Sequence, residues 1–138
     1  MMPSSASGKS RTALAKVPVR VLIVDDELLV RWSLSTGLRL SGFETDTASS
    51  SAEALTLARQ QPHPDVMLLD SRLYDSNPTV LVEELRLAAP GCRFVRLTTS
   101  RHEPQAPPWV GITVITKPFD MADVVRLIGA AVARPCSA

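Results

Sequence analysis

The stretch Val19-Arg20-Val21-Leu22-Ile23-Val24-Asp25-Asp26-Glu27 decides how the rest of the chain is read. A nearly continuous apolar run, rich in β-branched residues, ends on two adjacent carboxylates with a third behind them. Such a run is a strand buried on both faces, as a parallel sheet between two helix layers requires. Acids at the carboxyl end of that strand lie where open α/β sheets place their ligands. Adjacent like charges repel, and a hard cation relieves the repulsion. Mg2+ takes one or two carboxylates together with waters and a phosphate oxygen. Two readings stay open from this stretch alone: Asp25 and Asp26 hold a cation, or they cap the next helix and face water.

On the carboxyl side, residues 28–40 carry Val30, Leu34 and Leu38 at every fourth position, which predicts an amphipathic helix with Gly42 as its C-terminal cap. Trp32 falls off that stripe and is expected to be a partly buried packing residue. Residues 43–47 predict a short strand. Ser50 with Glu53 predicts a capping box for a helix over residues 52–60, with Ala54, Leu55 and Ala58 inward and Pro62 as its stop. Residues 65–70 form a further apolar strand that delivers Asp70 to the same sheet edge. Asn77 followed by Pro78 reads as a cap and first helical position. The helix they open carries Val80, Leu81, Leu85 and Ala88 and ends at Pro90-Gly91. Residues 93–97 predict a fourth strand, ending in Thr98, Thr99 and Ser100. Residues 101–111 contain Pro104, Pro107 and Pro108, which forbid a full fourth helix. Residues 112–115 predict a fifth strand before Lys117-Pro118-Phe119. Asp120 then caps a last helix with Val124, Ile128 and Ala131 inward, up to Pro135.

Strand and helix alternate along the chain, which predicts an α/β domain: a doubly wound, five-stranded parallel sheet with helices on both faces and a shortened or irregular fourth helix. The length of 138 residues and apolar content of 45% suit one domain with one core. The expected divisions are a flexible arm over residues 1–17, rich in Ser, Ala and Lys, a domain over 18–134 and a tail over 135–138. A net charge of +1 gives no general attraction to polyanions. Cys92 and Cys136 lie in no metal or redox spacing, and free thiols in a cytoplasmic protein are expected. No stretch reaches the roughly 18 apolar residues of a membrane span, and residues 1–18 lack the pattern of a secretory signal. Gly8-Lys9-Ser10 ends like a phosphate loop, but Pro3 stands where the first glycine is needed.

The strand ends collect a coherent set of groups on one rim: Asp25 and Asp26, then Asp70, then Thr98, then Lys117. Asp25 and Asp26 can hold Mg2+. Asp70 can act as a carboxylate nucleophile on phosphorus. Lys117 can neutralise phosphoryl oxygens, and Thr98 can donate a hydrogen bond to one of them.

The ordered set Val-Asp-Asp-Glu, Leu-Leu-Asp, Leu-Thr and Lys-Pro-Phe resembles the CheY-like receiver domain of two-component response regulators over about residues 19–133, with residues 23–38 similar to NtrC-type receivers. The resemblance implies a flavodoxin-like strand order 2-1-3-4-5. It also implies Asp70 as phosphoacceptor, Mg2+ held by Asp25, Asp26, Asp70 and the backbone carbonyl of Arg72, and a phosphate-binding and switch group of Thr98, Thr99 and Lys117. The family's cis peptide falls at Lys117-Pro118. A sensor histidine kinase or phosphotransfer protein supplies the phosphoryl group, and the output passes to a downstream protein. The residues after Pro135 leave no room for a helix-turn-helix module, so no direct DNA binding is expected; a homodimer is compatible with the reading.

Several positions depart from the family pattern. Tyr74 and Pro78 stand where the loop after the acceptor commonly has proline and glycine, Thr99 is bulkier than the usual residue, and Val114 replaces the customary switch aromatic. The segment from position 98 to 117 is short and proline-rich. These departures suit a second function, a pseudo-receiver that binds proteins without phosphorylation. A phosphatase-like enzyme needs a second acid close after the nucleophile, and Asp75 lies too far along the loop. His63 and His102 are expected in solvent, Trp109 as a packing anchor, and Arg93, Arg96 and Arg101 as too scattered for nucleic acid.

Overall fold

The computed structural model describes residues 17–73, 77–99 and 107–133. The expected arm and tail, Tyr74, Asp75, His102 and Cys136 lie outside the described residues, apart from Val17, which is exposed. In chain order the elements are β1 (Arg20–Val24), α1 (Leu28–Leu40), β2 (Glu44–Ala48), α2 (Ser51–Arg59), β3 (Val66–Asp70), α3 (Pro78–Ala88), β4 (Arg93–Thr98), β5 (Thr113–Thr116) and α4 (Met121–Ala133). All neighbouring strands pair in parallel, in the order β2-β1-β3-β4-β5, which is the expected 2-1-3-4-5.

Sequence explains the order. β3, Val-Met-Leu-Leu-Asp, is buried throughout and sits at the centre. β2, Glu-Thr-Asp-Thr-Ala, alternates exposed and half-buried residues and forms an edge, where Arg20 of β1 pairs with Glu44 and Asp46. Alternation along the strands splits the core in two. On one face Val21, Ile23, Val66, Leu68, Val95 and Leu97 meet Leu34 and Leu38 of α1 and Val124 and Ile128 of α4. On the other Leu22, Val24, Met67 and Leu69 meet Ala54 and Ala58 of α2 and Leu81, Val82 and Leu85 of α3. Each fully buried Leu, Ile or Val contributes about 1.5–3 kcal/mol relative to exposure. Helix α1 approaches α4 closely because Gly37 lacks a side chain: a Cβ there would lie 2.5 Å from Met121 Cε.

Local signals are realised with some shifts. Asn77 Oδ1 accepts from the N–H groups of Thr79 (2.9 Å) and Val80 (3.4 Å), with Pro78 at the first helical position. Asp120 Oδ1 accepts from Ala122 N. Ser50 Oγ accepts from Glu53 N, but the return bond of the box goes elsewhere: Glu53 Oε1 accepts from Ser49 N at 2.7 Å. In α3 the inward face carries Val82, and Val80 is exposed. Trp32 is 63% exposed beside Leu28 and Leu29, because the core stripe of α1 points away from it. His63 is half-buried, not solvated, and its Nδ1 donates to Ala58 O at 2.9 Å. Between β4 and β5, described residues 107–112 form turns and no helix. There Trp109 is buried over Arg96, whose guanidinium lies 4.9 Å from the ring centre. Trp109 is thus the anchor expected of it.

Candidate functional site

The carboxyl ends of four strands bring the chemistry-bearing residues together. Past the end of β1, Asp25 N donates to Ala48 O at 3.1 Å, extending the ladder by one residue and holding the acid at the sheet. Asp25 is wholly buried, while Asp26 is exposed at the rim. Arg31, in the first turn of α1, donates through Nη1 to the Asp25 carbonyl at 2.8 Å and ties helix to strand end. Asp70 closes β3 and is 6% exposed; its Oδ1 accepts from Arg72 N at 3.1 Å. Lys117 follows β5, and its backbone N donates to Thr98 O at 2.7 Å, hooking it to the end of β4. The Lys117–Pro118 peptide is cis, as the resemblance implies.

The Lys117 ammonium is the hub. Nζ donates to Asp25 Oδ2 at 2.7 Å and to Glu27 Oε1 at 3.4 Å, and lies 4.0 Å from Asp70 Oδ2. With Glu27 N donating to Asp25 Oδ1 at 2.8 Å, both oxygens of the buried carboxylate are satisfied. A buried charge is tolerated when it is paired and fully hydrogen-bonded.

Above this floor opens a cleft of about 280 Å³ lined by Asp26, Glu27, Asp70, Arg72, Thr99 and Lys117. Thr98 lies buried at the end of β4, whereas its neighbour Thr99 faces the cleft. Oxygens of Asp25, Asp26 and Asp70 come within 4.8 Å of one another. They are hard donors at a spacing that one small divalent cation can share, and the residues fit Mg2+. Among the described residues the cleft and its floor gather the carboxylates of Asp25, Asp26, Glu27 and Asp70 around Lys117 and Arg72, an acidic excess that a divalent ion would offset.

Electrostatics follow from this crowding. Burial, then the charge of Asp25, raises the Asp70 carboxyl above its ordinary 3.8; the Arg72 N–H and the Lys117 charge oppose the shift. Burial pulls Lys117 down, but the hydrogen bond to Asp25 and the charges of Asp70 and Asp25, with help from Glu27, outweigh it and hold the ammonium above its ordinary 10.5.

Glu27, which in the sequence only follows the acid pair, lines the cleft and touches Lys117. Arg72, whose backbone carbonyl alone the resemblance points to, also sends its side chain to Thr99: Nη1 donates to Oγ1 at 2.9 Å. The signal was present as an Arg two residues past one strand end and a hydroxyl just past the next.

Residues 21–129 match the family model of the response regulator receiver domain. The chain is 34% identical over 122 residues to the probable transcriptional regulatory protein TcrX of Mycobacterium tuberculosis, covering 85% of this chain and 51% of that protein. It is 35% identical over 120 residues to KdpE, a transcriptional regulatory protein of the same species, covering 86% and 53%. The chain thus spans about half the length of these curated relatives. Among solved structures, chemotaxis protein CheY4 of Vibrio cholerae superposes with a TM-score of 0.73 at 26% identity, covering 83% of this chain and 99% of that one.

Proposed function

This chain belongs to the response regulator receiver domains, and on that premise we propose that Asp70 accepts a phosphoryl group from a sensor histidine kinase or phosphotransfer protein in a Mg2+-dependent reaction. The observation that carries the proposal is the position of Lys117 Nζ, 2.7 Å from Asp25 and 4.0 Å from Asp70, beside three acid oxygens within 4.8 Å of one another. In the transfer, an Asp70 oxygen attacks phosphorus, the P–N bond to the donor imidazole breaks, and the imidazole takes up a proton. Asp70 is a nucleophile only when ionised, and Lys117 and the Arg72 N–H favour that form. Mg2+, held by Asp25, Asp26, Asp70 and the Arg72 carbonyl, would supply charge neutralisation at the phosphoryl oxygens. Lys117 meets the same oxygens from the floor of the cleft, and Thr98, whose carbonyl already anchors Lys117, supplies a hydroxyl to them.

Receiver domains are signalling domains, and the output proposed here is a changed protein contact rather than chemistry on a substrate or direct DNA binding. The change passes through Thr98 and the segment that follows β4, since Val114 offers no aromatic ring to move. Cytoplasmic placement belongs to the same proposal; no helix among the described residues is long and apolar enough to cross a membrane. Thr99 and Val114 favour a second reading, a phosphorylation-independent binding module. Incubation with acetyl phosphate and Mg2+, followed by intact mass, separates the two. The proposal predicts a gain of one phosphoryl group in the wild type and none in Asp70→Asn; a folded wild type that gains none overturns it.

A further inference from the structure

Arg72 and Thr99 stand at the ends of adjacent strands. In the sheet register Asp70 pairs with Leu97, and Ser71 N still donates to Leu97 O at 2.9 Å, so residues 72 and 99 face each other just past the last paired positions. The Arg72 guanidinium crosses that gap to Thr99 Oγ1 at 2.9 Å, and both side chains line the cleft with Asp70. Its own backbone N–H is fixed on Asp70 Oδ1 at 3.1 Å. The side chain is therefore tied to the acceptor at one end and to the β4 end at the other.

We infer that Arg72 is a second phosphoryl-binding cation, positioned at the cleft rim by Thr99 and acting together with Lys117 on the floor. The inference rests on Asp70 being the phosphoacceptor. A long Arg side chain free in solvent pays a conformational entropy cost on engaging a ligand; a guanidinium already restrained at the rim pays less. Its fork of planar N–H donors suits phosphoryl oxygens, and a second cation suits a group with more than one negative charge. Lys117 reaches the group from the floor, where it is 12% exposed and shared with Asp25 and Glu27, and Arg72 reaches it from the rim. Thr99, bulkier than the residue usual in receivers, gains a purpose as the anchor.

A cation at the rim has opposite effects on the two ligands of the cleft: it attracts an anion and repels Mg2+. The test is titration of the full chain with Mg2+ alone, then with beryllium fluoride at saturating Mg2+, followed by calorimetry. Arg72→Ala keeps the backbone carbonyl and is expected to weaken beryllium fluoride binding about two- to fivefold, as an exposed charge pair allows, while Mg2+ binds as well or more tightly. Arg72→Lys is expected to recover part of the loss, and Thr99→Val to cost about two- to threefold by releasing the anchor. Unchanged beryllium fluoride binding in Arg72→Ala overturns the inference and leaves phosphorylation of Asp70 standing. Parallel weakening of both ligands also overturns it, since that marks general damage to the cleft. A wild type that binds Mg2+ but no beryllium fluoride removes the phosphoacceptor reading and this inference together.

Discussion

Lys117 and Asp25 are the residue pair on which the site stands. Asp25 is wholly buried, and its Oδ2 has Lys117 Nζ at 2.7 Å. Truncating one partner of such a pair leaves an uncompensated buried charge, at a cost of about 3–5 kcal/mol. Lys117→Ala is therefore expected to lower stability by that order in urea unfolding, and Asp25→Asn added to it should recover part of the loss. Asp70 carries the opposite sign. Its folded carboxyl is raised above 3.8 by burial and by Asp25, so the folded state holds its proton more tightly than the unfolded chain. Stability falls as pH rises from that ordinary value through the folded one, and the cost persists at neutral pH. Asp70→Asn, which removes the charge, should raise the Tm by a few degrees at pH 7 in EDTA. The gain should shrink towards low pH, where Asp70 is protonated; an equal gain at both ends of a pH series of melts would contradict this account. Lys117, raised above 10.5, contributes stability that is present below that pH and lost as pH climbs through its folded value.

At the scale of elements, the segment between β4 and β5 departs most from a regular alternation. Its described residues 107–112 form turns, and Trp109 covers the sheet from there, buried against Arg96 and the α3 side of the core. Trp109→Ala should cost about 3–5 kcal/mol, measured by denaturant unfolding, and Trp109→Phe about half as much, because a ring over the guanidinium remains. Buried strands were legible because a strand covered on both faces is largely apolar, and the polar residues presented to the site stand at the strand ends, as Asp70 and Thr98 do, or just past them, as Asp25 and Lys117 do. Caps were legible where one side chain meets its own helix, as at Asn77 and Asp120. What stayed hidden depends on distant partners. A four-residue spacing did not separate Val80 from Val82 on α3. Arg96 reads as a surface charge until Trp109 is placed over it, and the Arg72–Thr99 bond needs the strand order before either residue points to the other.

For the whole molecule, charge is distributed unevenly. The chain carries a net +1, yet among the described residues the carboxyl edge of its sheet gathers an excess of acids around Lys117. A ligand that binds only the folded state stabilises it, by about 2.7 kcal/mol at a hundred times its Kd. Mg2+ should accordingly raise the Tm of the wild type. Asp26→Asn, which removes the exposed member of the acid trio, should weaken Mg2+ binding by about tenfold or more, since hard cations depend on ligand charge. Equal Mg2+-induced shifts in the two proteins would place the ion elsewhere.

The most direct measurement is the address of the phosphoryl group. After reaction with acetyl phosphate, borohydride reduction converts an acyl phosphate to a stable alcohol that peptide mapping can locate. The pocket built by Asp25, Asp26, Asp70 and Lys117 predicts modification at Asp70 alone, in Mg2+ and not in EDTA. Modification at Asp25 or Asp26, or none anywhere in a folded, Mg2+-bound protein, would contradict it.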